Sequence, residues 1–167
     1  MSGLHKEINF EGEICDHLAD NGWLYAANDA AGYDRARTLF PADVLAWVQD
    51  TQPKAWEALQ KNHGAQAADV LLDRLRDSLN QRGTLDVLRH GIELLGLRQP
   101  LMLAQFKPAL AMNPDILVKY AANRLRVVRQ LRYSLHNENA LDLGLFLNGI
   151  PVATAELKTN FTQSVED

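Results

Sequence analysis

Apolar residues at Phe10, Ile14 and Leu18 recur every four positions, the spacing that stacks side chains on one face of an α-helix. It predicts a helix over residues 6–21, with Glu11 and Glu13 flanking the stripe. Gly22 stands where a left-handed residue would stop that helix before Trp23-Leu24-Tyr25. Residues 26–39 are small and polar and are expected to form an irregular connection. Pro41 then opens a short helix carrying Val44, Leu45, Trp47 and Val48, and Pro53 ends it, because the residue before a proline is pushed out of the helical region. Residues 65–80 are amphipathic, with Val70, Leu71, Leu72, Leu75 and Leu79 inside and Asp69, Asp73, Arg74, Arg76 and Asp77 outside. A further short helix is expected over 85–95, so the first 95 residues read as mainly helical.

The periodicity then changes. Asn113-Pro114 pairs a capping residue with a proline suited to the first helical position, which predicts a helix to about residue 122. Asp115 falls in its first turn, where a carboxylate suits the helix dipole. Residues 124–135 alternate in part, with Leu125, Val127, Leu131 and Tyr133 set against Arg124, Arg126, Gln130 and Arg132, and read as a strand. Residues 136–139 form a turn. Strands at 141–147 and 152–158 flank Asn148-Gly149, a strong short hairpin signal. The expected class is α+β: a small mixed sheet ending in a C-terminal hairpin, with helices around it.

The hairpin carries Asp142, Glu156 and Lys158. Alternation puts Glu156 and Lys158 on one strand face, and the loop decides whether Asp142 joins them. A strict two-residue Asn-Gly loop pairs Leu147 with Ile150 and Asp142 with Ala155, which leaves Asp142 facing away. A three-residue loop of Leu147, Asn148 and Gly149, with a bulge at the glycine, pairs Phe146 with Ile150 and sets Asp142 opposite Thr154. The apolar count favours the second, because it collects Leu141, Leu143, Leu145, Ala153, Ala155 and Leu157 on one face. Asp142, Thr154, Glu156 and Lys158 then share the other.

Two carboxylates and an ammonium on one strand pair suit metal-assisted phosphoryl chemistry. Mg²⁺ takes hard oxygen ligands and is commonly completed by one or two carboxylates plus a substrate phosphate, and a lysine beside it can orient the attacking water. Asp-x13-Glu-x-Lys is the arrangement of the PD-(D/E)xK nucleases. The bland reading of Glu-x-Lys is a solvated edge strand; placement after an Asp-bearing strand and an Asn-Gly turn favours catalysis.

Composition bounds the picture. The 167 residues carry 17 Lys+Arg against 21 Asp+Glu, for a net charge of −4, with 47% hydrophobic and 23% charged residues, values close to globular averages. A single cysteine, Cys15, precludes an internal disulfide and a cysteine-based zinc site. No apolar run approaches a membrane span or a signal peptide, so a cytoplasmic setting without membrane contact is expected. The acidity argues against a nucleic-acid partner until it is partitioned. Residues 98–132 hold seven basic residues and one acid, a local +6, and the rest of the chain carries −10. Arg124, Arg126, Arg129 and Arg132 fall within nine positions directly before the hairpin and are candidates for tracking a DNA backbone.

Residues 141–158, from Leu-Asp-Leu-Gly through Asn-Gly-Ile-Pro to Glu-Leu-Lys, resemble the signature of the N-terminal nuclease domain of type I restriction enzyme R subunits. Phe10-Glu11 through Gly22-Trp23 resembles that family's opening helix, and residues 123–130 resemble the strand before its catalytic hairpin. The resemblance spans nearly the whole chain and is weakest over 26–95. It implies a restriction-endonuclease-like core that cuts double-stranded DNA with Mg²⁺, with Asp142 and Glu156 holding the metal, Lys158 assisting catalysis and Glu11 as the helix carboxylate beside the metal. It also implies a complex with modification and specificity subunits and an ATP-driven motor further along the R subunit. The chain has no Gly-x-x-x-x-Gly-Lys-Ser/Thr loop, so ATP is assigned only to such a motor. The family carries a Gln and a Tyr in the helix after Glu-Leu-Lys, and Asp167 falls inside that expected helix. The expectation is therefore one nuclease domain over 1–167, the N-terminal part of a longer subunit.

Other features read blandly. His5, His17, His63, His90 and His136 show no ligand spacing. Cys15 reads as a buried small hydrophobe, and Trp23, Trp47 and Trp56 as core. Two rival readings stand beside the restriction nuclease: another PD-(D/E)xK repair or resolvase-like nuclease, and a non-catalytic DNA-binding or scaffold domain.

Overall fold

The structure is a computed structural model that describes residues 3–110 and 112–158, with side chains from residue 8 onward. The helix expected after Lys158 and the His5 side chain lie outside the described residues. The class is α+β, as expected. The α-helices are α1 (Gly3–Asp20), α2 (Pro41–Thr51), α3 (Pro53–His63), α4 (Ala67–Arg82), α5 (Thr84–His90) and α6 (Pro114–Ala121). Strands β1 (Leu125–Arg132), β2 (Ala140–Leu147) and β3 (Ile150–Ala155) form an antiparallel sheet in the order β1-β2-β3. The sheet expected to be mixed thus pairs antiparallel throughout its three strands, with one isolated parallel bridge from Leu24 to Arg126 beside it. None of the described helices is long and apolar enough to cross a membrane.

Most helix ends follow their sequence signals. Gly22 has φ 89° and closes α1 while the Trp23 amide donates to the Leu18 carbonyl, the bonding of a glycine-terminated helix. Asn113 caps α6 by accepting from the Asp115 amide at 3.0 Å. Helix α3 was not expected: Pro53 ends α2, but it also occupies the first turn of the next helix, where its missing N–H costs nothing.

Helices α2 to α5 enclose the main core, built on Trp47, Leu59, Leu71, Leu75, Val87 and Leu103, and Ile150 at the hairpin tip inserts into it. The sheet has a second contact on each face. Cys15 of α1 packs with Val127 and Leu143, while Phe40 packs with Val128, Leu131 and Phe146, its ring edge-on to Phe146 at 5.1 Å. Of the apolar stripe expected on α1, Ile14 and Leu18 pack against the Cys15 cluster. Phe10 is 52% exposed, and the buried line runs through Glu11 and Cys15. Burial pushes the Cys15 thiol up, and the Arg129 charge pulls it the other way.

Asp34 ties the 26–39 connection to α4. Its carboxylate accepts from the Ala36 and Arg37 amides at 3.0 Å each and pairs with the Arg37 guanidinium, which also meets Asp69 and Asp73. Burial, the largest single influence, pushes Asp34 up, but the bonds and charge from Arg37 together outweigh it and hold the carboxyl below its ordinary range. A carboxyl depressed in the folded state stabilises above its unfolded pKa of about 4, and that contribution is lost as pH falls through the lower folded value. Between about pH 5 and 3, the melting temperature of Asp34→Asn should therefore fall less steeply than that of the parent; parallel slopes in thermal melts would contradict this.

Candidate metal and phosphate site

The site is built on the β2-β3 hairpin. Asn148 and Gly149 have φ 48° and 81°, the left-handed pair of a two-residue turn, and Leu147 pairs with Ile150. The expected three-residue loop is therefore corrected. The additional residue lies in β3: Phe146 pairs with Pro151 and Leu145 with Ala153, which leaves Val152 as the bulge. Proline beside a bulge on an edge strand is where its missing N–H is tolerated. Beyond the bulge Gly144 meets Thr154 and Leu143 meets Ala155, so continued register sets Asp142 across from Glu156, not from Thr154.

Asp142 reaches that tripeptide directly. Its Oδ2 accepts from the Leu157 amide at 2.6 Å, a backbone group between Glu156 and Lys158. Glu156 Oε2 and Lys158 Nζ lie 3.7 Å apart, both exposed. Leu157 packs with Leu143, Leu145 and Ala155 against the Cys15 cluster, which anchors the strand end that presents the two charged side chains. Leu141 departs from the expected apolar face and packs against the Phe40 cluster.

The turn itself is pinned. Asn148 is fully buried; its Nδ2 donates to the Leu103 carbonyl and to Asn123 Oδ1, both at 2.9 Å, and its Oδ1 accepts from the Arg124 amide at 2.7 Å. Phe40 N donates to the Gly149 carbonyl at 2.8 Å. The hairpin is thus fixed at its tip to α2 and at its open end by Asp142.

Glu11 faces β1 and is held by its side chains. It is 3% exposed, and both its oxygens are engaged: Oε2 by Arg129 at 3.0 and 3.1 Å and Oε1 by Gln130 Nε2 at 3.0 Å. Gln130 has φ 49°, a kink that lets two successive β1 side chains reach one carboxylate. Gln130 falls between the Arg129–Leu143 and Leu131–Leu141 pairs, so the register places it beside Asp142. Glu11 is thereby linked to the hairpin through Gln130. Among the described residues, no group of three or more His, Cys, Asp and Glu side chains comes together as a metal site; the structure brings Asp142 towards the Glu156-Leu157-Lys158 segment without adding Glu11.

The four candidate arginines, Arg124 just before β1 and the other three on it, also divide. Arg126 is 16% exposed and held by Asp43 and Asp29 at 2.6 Å each; these bonds, Asp43's first, raise its pKa against the pull of burial. Arg129 serves Glu11, and Arg124 meets Asp50 at 3.2 Å. Only Arg132, 58% exposed and 2.6 Å from the exposed Glu138, keeps an open guanidinium. The expected row of four DNA-tracking arginines is corrected to that extent: the basic stretch largely neutralises acids of the first 50 residues within the fold.

Comparison with known proteins gives one result. A family model described as "Type I restriction enzyme R protein N terminus" matches residues 13–167. No curated protein and no solved structure matches the chain.

Proposed function

The chain belongs to the type I restriction enzyme R protein N-terminal family, and from that premise we propose that it is the DNA-cutting domain of a multisubunit, ATP-dependent restriction complex. It acts with modification and specificity subunits in the cytoplasm and hydrolyses double-stranded DNA phosphodiesters with Mg²⁺. The observation that carries this reading is the docking of Asp142 onto the Leu157 amide, which gathers a carboxylate, a second carboxylate and an ammonium at one strand end.

The donor set fits Mg²⁺. Asp142 uses one oxygen on Leu157, its other oxygen and the exposed Glu156 carboxylate are hard ligands, and two carboxylates plus substrate phosphate make a common Mg²⁺ shell. Bound there, the metal would supply a more acidic water and neutralise charge developing on the phosphate. Lys158, 3.7 Å from Glu156, orients the attacking water and places positive charge beside the reacting phosphate. Glu11 acts through Gln130 as a positioning group; a direct place in the metal shell requires it to release Arg129 or Gln130. Arg132 supplies sequence-independent contact to the DNA backbone.

Lys158→Ala should lower Mg²⁺-dependent cutting of duplex DNA about 100-fold, the scale of losing one electrostatic or acid–base group, with unchanged thermal stability. The assay uses the assembled restriction complex with ATP. Cutting within a few-fold of the parent in both Lys158→Ala and Asp142→Asn would remove the catalytic reading and leave a DNA-binding scaffold.

A further inference from the structure

A cavity of about 520 Å³ lies against β1, walled by Tyr25, Arg35, Arg129, Gln130 and Arg132, with alanines of the 27–31 segment as its floor. Three guanidiniums from two separate parts of the chain converge on it. Arg129 is fixed by Glu11, and the Tyr25 hydroxyl, then Glu11, raise its pKa. Arg35 donates to the Ser134 carbonyl at 3.3 Å. The decisive contact is Glu138: its Oε2 lies 2.6 Å from Arg132 and 3.8 Å from Arg35. One carboxylate oxygen therefore bridges two arginines that the chain separates by nearly a hundred residues. Glu138 is 70% exposed, and such solvated pairs contribute little to stability.

We propose that this cavity is a seat for a backbone phosphate of the DNA, and that the Glu138 carboxylate, which pairs with two of its arginines in the free protein, is an internal anion that DNA displaces from them. The proposal rests on the nuclease reading for its ligand, since Gln130, in the cavity wall, neighbours Asp142 in the sheet register. A phosphodiester oxygen takes the position of Glu138 Oε2, and paired guanidiniums suit it because they meet two oxygens of one phosphate at once. The alanine floor leaves room for the sugar–phosphate chain that a larger side chain would fill. Arg35, distant in sequence from the basic stretch, thus joins Arg132 in holding DNA. The contact carries no base information and sets the register of the strand on the protein.

The signs of the expected effects differ, which separates the proposal from loss of folding. Binding of a fluorescent duplex is followed by anisotropy without divalent metal, so that no cutting occurs, over about 50 to 200 mM salt. Arg35→Ala and Arg132→Ala should each flatten the slope of log K against log salt by about 0.9, the loss of one phosphate contact. Glu138→Gln, which removes the internal anion and keeps the arginines, should tighten binding roughly two- to fivefold at the lowest salt. Unchanged slopes in both arginine variants, weaker binding by Glu138→Gln, or no binding by the parent would overturn the proposal. Failure of the nuclease reading looks different: Asp142→Asn and Lys158→Ala would cut normally while these slopes still change. Conversely, a parent that cuts but whose slopes ignore Arg35 and Arg132 loses the cavity and retains the active site.

Discussion

Arg126→Ala should destabilise the fold by about 3–5 kcal/mol, the usual cost of removing one partner from a buried ion pair. The reason lies in what remains. Asp43 is 4% exposed and takes both of its hydrogen bonds from Arg126, at 2.6 and 3.0 Å. The same guanidinium reaches Asp29 at 2.6 Å and lies 5.2 Å from the centre of the Phe40 ring, adding a cation–π contact. With Arg126 gone, Asp43 is a carboxylate without a counter-charge in a site closed to water. Urea unfolding reads the loss as a lower midpoint at unchanged slope. Adding Asp43→Leu should recover much of the loss, since an apolar replacement of similar size removes the orphaned charge. A deficit under about 1 kcal/mol would show that Asp43 finds other partners or water.

This ion pair also explains why the charge pattern pointed partly in the wrong direction. Along the chain, acids dominate residues 1–97 and arginines dominate 98–132, a separation that reads as two surfaces of opposite sign. The fold brings them together, joining Arg124 to Asp50, Arg126 to Asp29 and Asp43, and Arg129 to Glu11. Pairings across 74 to 118 positions leave no trace in local periodicity. Glu11 shows the same limit. A polar residue inside an apolar stripe reads as its flank, and only the Gln130 kink, which gives one carboxylate two β1 partners, makes burial tolerable. Local signals fared better wherever the controlling interaction was itself local. Asn113 caps the helix it begins, Gly22 ends the helix before it, and Asn148-Gly149 makes its turn. The approach of Asp142 to the segment that bears Glu156 and Lys158 was also legible, although the odd residue lies in β3 and not in the loop. Alternation requires one additional residue somewhere in the hairpin, and sequence parity alone does not distinguish a bulge at Gly149 from one at Val152.

The tip of that hairpin supplies the second large effect: Gly149→Ala should cost about 3 kcal/mol or more. Two penalties of separate origin combine. Gly149 has φ 81°, and a side chain in this left-handed region costs about 1–2 kcal/mol. A Cβ built at the position would also lie 2.4 Å from the Phe40 carbonyl oxygen, 2.6 Å from Val44 Cγ2 and 2.9 Å from the Val44 amide nitrogen. Two of these three neighbours are backbone at the start of α2, so relief requires moving the helix or the strand, at about 1–3 kcal/mol for overpacking. The Phe40 amide bond to the Gly149 carbonyl, 2.8 Å long, is strained by the same displacement. Val44→Ala combined with Gly149→Ala should be less destabilising than the sum of the single changes, because it clears the Cγ2 contact, but it should not restore the parent because the carbonyl contact remains. Strict additivity would exclude the Cγ2 contact and leave the strain in φ and the backbone contacts. The consequence reaches the site through the strand. Ile150 is anchored in the helical core directly after the turn, and from there the Val152 bulge sets which β3 residue lies across from Asp142. A turn forced away from α2 shifts Glu156 and Lys158 relative to Asp142. Under the nuclease reading, Gly149→Ala protein that remains folded at low temperature should therefore cut DNA more slowly than its folded fraction accounts for. Activity that tracks the folded fraction would mean that the turn supports the fold without setting the alignment of the site.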